Sequence, residues 1–485
     1  MNVKSISRTV GLILLITGAF QIFPLLIAVI DREPKNILAY VESLCLILLV
    51  GGALVLFSRG GNRMFSAQEG FAATGLSWIF MSAFGALPFF LSGQIPSYVD
   101  AFFEMVSGFT TTGASILTDV EALSRCNLFW RSFSHWLGGM GVLVFLLAVV
   151  PGARKNGGTG IYLMRAESPG PSVDKLTPHL RQTAMILYGI YILLTVLCIV
   201  CLLLGGMPVF DSFCIAFGTA GTGGFAIKNS SMGGYSYFLQ TVVTVFMFLF
   251  GVNFSLYYML LLRKFKAVFK NEELRLYFGI AAGSIVLIAI NISRMYNTVY
   301  EAVHHAAFQV VSIMTTTGYG TVDFEQWPAF SKAILLSLMF IGASAGSTGG
   351  GLKVSRVLLL MKSIRRTIRK ALHPRRVQPV YMDGRAVSEE VCDNVNAYLA
   401  IYCVILVLSF VIISADGFSI GTNFSAVASC FNNIGPGFEL VGATQNFSIY
   451  SDLSKIVLSL DMLLGRLEIF PLLLLLSPDT WSRRR

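Results

Sequence analysis

Residues 314–320 read MTTTGYG: three threonines, two glycines and no charge, set between long apolar stretches of a 485-residue chain. Bare backbone is costly in such surroundings, because a carbonyl removed from water without a partner loses its hydrogen bonds. The stretch has counterparts. GFTTTGAS (Gly113), AGTGGFAI (Gly224), IMTTTGYG (Gly318) and FNNIGPGF (Gly435) align without gaps on one glycine each. Thirteen residues before the glycine stand Asp100, Asp211, His305 and Thr422; eleven before, Phe102, Phe213, Ala307 and Phe424; six before, Ser107, Gly218, Ser312 and Ser429. The second copy has adjacent glycines, and Gly224 rather than Gly223 keeps Asp211 and Phe213 in register.

The chain around these loops is 55% hydrophobic and only 13% charged. Soluble domains carry about 25% charged residues, so the composition is that of a polytopic membrane protein. Apolar runs near the 20 residues needed to cross a bilayer occur around 10–30, 37–57, 70–91, 127–150, 183–205, 236–262, 275–292, 329–361, 395–413 and 453–476. The fold class expected is an all-α polytopic membrane protein, with ten transmembrane helices and four re-entrant pore half-helices in pseudo-fourfold arrangement. The first run follows Lys4 and Arg8 and is too long for a signal-peptide core, so it reads as a retained helix. Cys198 and Cys201 form a CxxC inside ILLTVLCIVCLLL, where they read as small apolar residues rather than a redox or metal motif.

The net charge of +10 is sorted by loop. With the N-terminus in the cytoplasm, the cytoplasmic segments hold Arg59 and Arg63; Arg154, Lys155, Arg165, Lys175 and Arg181; Arg263, Lys264, Lys266, Lys270 and Arg275; the cluster from Lys362 to Arg385; and Arg483, Arg484 and Arg485. The external segments keep few basic residues, and 414–452 has none. This positive-inside pattern places both termini in the cytoplasm and argues against nucleic acid as the partner of the charge. The external segments carry acids instead, among them Asp100, Glu104, Asp119, Glu121, Asp211, Asp323, Glu325 and Glu439, and an acidic mouth concentrates cations.

Each glycine lies between two spans and follows an apolar stretch too short to cross. The chain therefore divides into two leading spans (1–69) and four pore repeats (70–151, 152–263, 264–375 and 376–485), and internal repetition of this kind decides the architecture. Four loops meeting on one axis offer a ring of oxygens able to replace the hydration shell of a cation, with glycine supplying the required φ/ψ. The candidate cation ligands are Thr111, Thr112 and Gly113; Thr222, Gly223 and Gly224; Thr316, Thr317 and Gly318; and Asn433, Ile434 and Gly435.

TTTGYG resembles the potassium-channel filter loop. With four unequal copies in one chain, the sequence is more similar to the Trk/Ktr/HKT superfamily of cation transporters. HWLGGMGVLVF (135–145), GSTGGGLKVSR (346–356) and LLGRLEIFPLL (463–473) resemble hallmark second-helix segments of its bacterial TrkH/TrkG branch, and two extra leading spans are typical of that branch. The resemblance implies potassium uptake across a bacterial cytoplasmic membrane, with potassium as the transported ion, and no enzymatic activity. It also implies a homodimer with one pore per subunit and a cytoplasmic ring of TrkA-type nucleotide-binding regulatory subunits. A serine in the first loop would point to sodium; here it is Gly113. The fourth loop, with Asn432 and Asn433 in place of threonine, departs most from the pattern.

GASAGSTGGGLK (342–353) interrupts the run 329–361. It fails the phosphate-loop spacing, since Gly351 is followed by Leu352 rather than Lys. Either a plain kink or a mobile intramembrane gate fits it, and the resemblance favours the gate, formed by Gly346, Gly349, Gly350, Gly351 and Lys353. Arg466 stands halfway along the last run, where a charge is expensive and usually functional; the resemblance places it facing the pore below the filter. Asn253 reads as a helix–helix hydrogen-bonding residue. Glu301, His304 and His305 lack a second ligand set for a metal. The basic cluster 362–376 suits acidic lipid headgroups or a docked regulatory ring equally. A sodium- or proton-coupled symporter on the same fold is the alternative function, and an intramembrane enzyme built on Glu301, His304 and His305 is a more remote one.

Overall fold

The computed structural model describes residues 3–58, 67–141, 180–373 and 378–478. Arg59, Arg63, Arg154, Lys155, Arg165, Lys175 and Arg483–Arg485, the far part of the run 127–150, and the boundary between the first two repeats lie outside the described residues.

The two leading helices, Val3–Ile30 and Pro34–Phe57, form a hairpin. Small residues let them approach: a Cβ on Gly11 would stand 2.8 Å from the Gly51 carbonyl oxygen, the close packing that substitutes for a hydrophobic drive in lipid. A buried hydrogen bond from Ser43 Oγ to Gln21 Oε1 (2.9 Å) fixes the register. Tyr40 then donates to Asn127 Oδ1 (2.8 Å), tying the hairpin to the first repeat.

Among the described residues, six helices are long and apolar enough to cross a membrane: Val3–Ile30, Pro34–Phe57, Gln68–Leu91, Gln182–Leu204, Glu272–Met295 and Glu389–Asp416. The last four are the first helices of the four repeats. Each leads into a short pore helix: Tyr98–Phe109, Val209–Gly221, Val299–Met314 and Ile420–Phe431, of 12, 13, 16 and 12 residues. At about 1.5 Å per residue these reach only part-way through a bilayer. Ser97, Thr298 and Ser419 cap three of them through their side chains, satisfying amide donors that lipid could not.

In the second and fourth repeats the second helix departs from the sequence expectation of one continuous span, and in the third the interruption expected at 342–353 is present. Tyr237–Phe250 and Phe254–Leu261 meet at 89°. Ala329–Ile341 and Val354–Leu372 are separated by 342–353. Asp452–Arg466 and Phe470–Leu476 are separated by a kink in which Glu468 (φ 60°) and Ile469 (φ 65°) are left-handed. In the first repeat, Arg125–Gly139 ends before Gly141, at φ 80°. Asn253 caps the second half of the bent pair, accepting from the Ser255 amide (2.9 Å), rather than joining two helices.

The basic segment after Lys362 is also more ordered than its composition suggests. The helix runs to Leu372, and Val380–Met382 pairs antiparallel with Arg385–Val387 around an Asp383–Gly384 turn, the dipeptide best suited to two left-handed residues. Asp383 accepts from Asn271 Nδ2 and the Glu272 amide, both at 2.8 Å, and so caps the first helix of the third repeat. Lys362 pairs with Glu272.

Candidate functional site

The four pore helices end in the same way. In each, the residue two before the aligned glycine is left-handed (Thr111 φ 55°, Thr222 φ 54°, Thr316 φ 60°, Asn433 φ 54°), and so is the glycine itself (82°, 75°, 83° and 105°). The amide of the intervening residue folds back on the carbonyl six before the glycine: Thr112 to Ser107 (2.9 Å), Gly223 to Gly218 (2.9 Å), Thr317 to Ser312 (2.8 Å) and Ile434 to Ser429 (3.0 Å). This is the six-to-one bond of a Schellman termination, which normally places glycine at the left-handed residue. Three threonines and an asparagine hold it here at a cost of roughly 1–3 kcal/mol each. Gly224, not Gly223, takes the left-handed conformation, as the register requires.

The loops close into a ring. A Cβ on Gly113 would overlap the carbonyl oxygen of Gly223; one on Gly224, that of Thr317; one on Gly318, that of Ile434; and one on Gly435 would stand 2.8 Å from that of Thr112. Each glycine therefore seats the preceding-residue carbonyl of the next loop, in the order first, second, third, fourth and back to first. Glycine is needed twice over, for its φ and for its missing side chain. The joint from the fourth loop to the first is the loosest, and side chains reinforce it: Asn433 Nδ2 donates to Thr112 Oγ1 (2.9 Å) and to the Met462 carbonyl (2.8 Å).

The threonine hydroxyls are engaged within the protein. Thr110 and Thr112 share a hydrogen bond, as do Thr315 and Thr317, each pair at 2.8 Å. Thr222 donates to the Gly221 carbonyl (2.6 Å). Thr316 Oγ1 accepts from the Gly350 amide (2.7 Å) and Thr111 Oγ1 from Arg466 (3.2 Å).

Those last two bonds lead to the underside of the ring, where the segment 342–353 lies. A Cβ on Gly350 would meet the Asn432 carbonyl at 2.6 Å, and one on Gly349 the Thr315 carbonyl at 2.9 Å. The segment also touches the second repeat, through Ser344 N to the Gly251 carbonyl (3.0 Å) and Phe254 N to the Gly346 carbonyl (3.0 Å). Its two ends are gathered by the buried Glu273, which accepts from the amides of Ala345 (2.7 Å) and Ser355 (3.1 Å). Lys353, left-handed at φ 74° and buried, donates back to the carbonyls of Gly349 and Gly350. Arg466 reaches the same place from the fourth repeat. Its guanidinium donates to the carbonyls of Thr348 (2.7 Å), Gly138 (2.5 Å) and Gly139 (2.6 Å). It therefore joins three repeats just below the first loop. The two acids near it in sequence are engaged elsewhere: Asp461 accepts from Ser409 (2.7 Å), and Glu468 pairs with Arg356.

The expected acidic mouth is only partly present. Glu104 is fully buried and paired with Arg131 at 2.7 Å, and Asp100 is paired with Lys455 at 2.5 Å. Neither is a free external acid. Glu439 is exposed, and hydrogen bonds from the Ser419 and Thr422 hydroxyls hold its carboxyl below the usual carboxylate range. His304 and His305 bond to Gln240 Oε1 (2.8 Å) and Thr321 Oγ1 (3.0 Å), and no cluster of three metal-ligating side chains occurs among the described residues.

Sequence reasoning missed His135 and Arg131. Phe225 N donates to His135 Nε2 (3.1 Å), so the ring proton sits on Nδ1, which donates to the Gly108 carbonyl (2.7 Å). One imidazole thus spans the first pore helix and the second loop. An ionisable residue inside an apolar run was the available signal for both.

A family model described as a cation transport protein, TrkH, matches residues 36–483. The chain is 36% identical over 488 residues to the Trk system potassium uptake protein TrkH of Salmonella typhimurium, covering 99% of this chain and 100% of that protein. It is 33% identical over 487 residues to the Trk system potassium uptake protein TrkG of Escherichia coli, covering 99% of each. The crystal structure of the potassium transporter TrkH from Vibrio parahaemolyticus superposes with a TM-score of 0.88 at 33% identity, covering 99% of this chain and 100% of that one. A closed ring of four re-entrant loops and a full-length match in sequence and structure agree: the chain belongs to the TrkH family of cation transport proteins.

Proposed function

We propose that this chain is the membrane subunit of a potassium uptake system. The observation that carries the reading is the closed ring, in which each glycine seats the carbonyl of the neighbouring loop. A ring of main-chain oxygens can replace the water shell of a cation, and the relatives named above are potassium uptake proteins. The ligands are the main-chain oxygens of Thr111, Thr112, Gly113, Thr222, Gly223, Gly224, Thr316, Thr317, Gly318, Asn433, Ile434 and Gly435. The pore helices end beside them, and a helix C-terminus favours a cation.

The segment 342–353 acts as the gate. It supports this role that the loop lies against the ring's underside, with the Gly350 amide donating to Thr316 Oγ1 and Arg466 donating to the Thr348 carbonyl. Shortening 346–351 is expected to raise uptake several-fold in vesicles; unchanged flux would count against the gate. The bacterial cytoplasmic membrane, cytoplasmic termini, a homodimer and a TrkA-type nucleotide-binding ring complete the assembly. The helix Val354–Leu372 continues directly from the loop and leads into the hairpin, which supports them as the route by which such a ring acts.

Tracer potassium uptake into proteoliposomes tests the reading. Uptake driven by the potassium gradient alone is the expected result. Uptake that requires an opposing or parallel sodium or proton gradient would establish the symporter instead.

A further inference from the structure

We propose that the buried Glu104–Arg131 pair is a positioning device that fixes the joint between the first and second loops, and so sets which alkali cation the ring prefers. The inference rests on the cation-ring reading above and adds two residues that lie behind the ring rather than in it.

The pair sits where loops one, two and four meet. Glu104 is on the first pore helix and Arg131 on the second helix of the same repeat, and both side chains are essentially inaccessible. Arg131 Nε and Nη2 both bond to Glu104 Oε1, at 2.8 and 2.7 Å. The carboxylate also accepts from Ser115 Oγ (3.0 Å) and the Ile116 amide (3.0 Å), immediately beyond Gly113. The guanidinium reaches the second loop, donating from Nη1 to the Ala226 carbonyl (3.2 Å) and lying 4.0 Å over the Phe225 ring. Ser115, which Arg131 Nη2 also contacts (3.3 Å), accepts on its carbonyl from the Phe447 amide of the fourth external segment (2.8 Å). One ion pair therefore holds three loops.

The arrangement is peculiar to this joint. In the aligned register, the place of Glu104 is taken by Ile215, Gln309 and Ala426 in the other copies. The next joint is made by Tyr319, whose hydroxyl lies 3.2 Å from the Ile215 carbonyl and 3.5 Å from that of Phe225. Thus Phe225 and Ala226, beside Gly224, are clamped from both sides. A buried pair is weak support for stability, because well-packed apolar replacements often do as well. Its planar fork is strong in specifying geometry. A ring that discriminates ions by the placement of its carbonyls needs the latter.

The test uses the full chain in proteoliposomes, with labelled potassium and sodium as probes. Glu104→Gln keeps the shape and removes the charge; Arg131→Lys keeps the charge and removes the fork. Each is expected to lower the potassium-to-sodium uptake ratio about tenfold. The double replacement Glu104→Leu with Arg131→Met, which leaves no buried unpaired charge, is expected to be recovered in near wild-type amount and to lose the same discrimination. A pair that merely helps the chain fold would scale both fluxes equally. A wild-type ratio in any of these variants, recovered as monodisperse protein, overturns the proposal. If the wild type itself prefers a cation other than potassium, the potassium reading fails, while the shift of the ratio between wild type and variants still decides the role of the pair.

Discussion

Gly113→Ser should lower the potassium-to-sodium uptake ratio at least tenfold while leaving sodium entry measurable. Two costs coincide at this position. A non-glycine residue at φ 82° is strained, by about 1–3 kcal/mol. The added Cβ would also overlap the Gly223 carbonyl oxygen, so either that carbonyl turns away or the joint between the first two loops opens. A shift of about 1.4 kcal/mol in relative ion binding is already tenfold. Gly93 supplies the control. It has a similar φ of 74° with nothing near its Cβ position, so Gly93→Ser carries the strain without the overlap. Unchanged selectivity is expected there, measured by the same tracer uptake. Equal effects at Gly93 and Gly113 would show that general destabilisation, not the ring, is being read.

How much of this was legible in the sequence follows from the kind of interaction involved. The repeat was legible because a left-handed residue at the end of each pore helix and a carbonyl seated on each glycine restrict residue type locally. Four copies in register expose such restrictions. The breaks in the second helices were legible only in part. At 342–353 glycines announce one, and in the last span Pro471 marks the start of the second half-helix, but LEIF (467–470) has no glycine to suggest left-handed residues. The left-handed Glu468 and Ile469 accompany the pairing of Glu468 with Arg356 on another helix, a contact that local propensity does not report. Glu104 was misread as a mouth acid for a similar reason. Its partner, Arg131, is on another helix, and no local pattern distinguishes a solvated loop carboxylate from one buried behind a pore. Arg466 was legible as a charge in the wrong place; its four acceptors, on two other repeats, were not.

Those acceptors give the second large effect. Arg466→Ala should raise uptake by about tenfold or more, with the sign set by what the arginine holds. The guanidinium donates to Thr111 Oγ1 and to the carbonyls of Thr348, Gly138 and Gly139. It therefore joins the loop 342–353 to the first repeat when the loop lies against the ring. A hydrogen bond to a charged group contributes roughly 1.5–3 kcal/mol. Losing the one to Thr348 alone would shift the balance between seated and released loop by about tenfold or more. An arginine acting only as an electrostatic barrier gives the same sign, because removing a positive charge below a cation ring also speeds passage. Arg466→Lys separates the two. It keeps the barrier charge but cannot span four acceptors with a planar fork. If the arginine is a tether, the lysine variant should conduct nearly as fast as the alanine variant; if it is a barrier, it should conduct like wild type. Gly350→Ala then checks the tether from the other side. Its Cβ would stand 2.6 Å from the Asn432 carbonyl, pushing the loop off the ring with Arg466 intact. Raised flux in Gly350→Ala together with wild-type flux in Arg466→Lys would leave the loop as the gate and reduce the arginine to its charge.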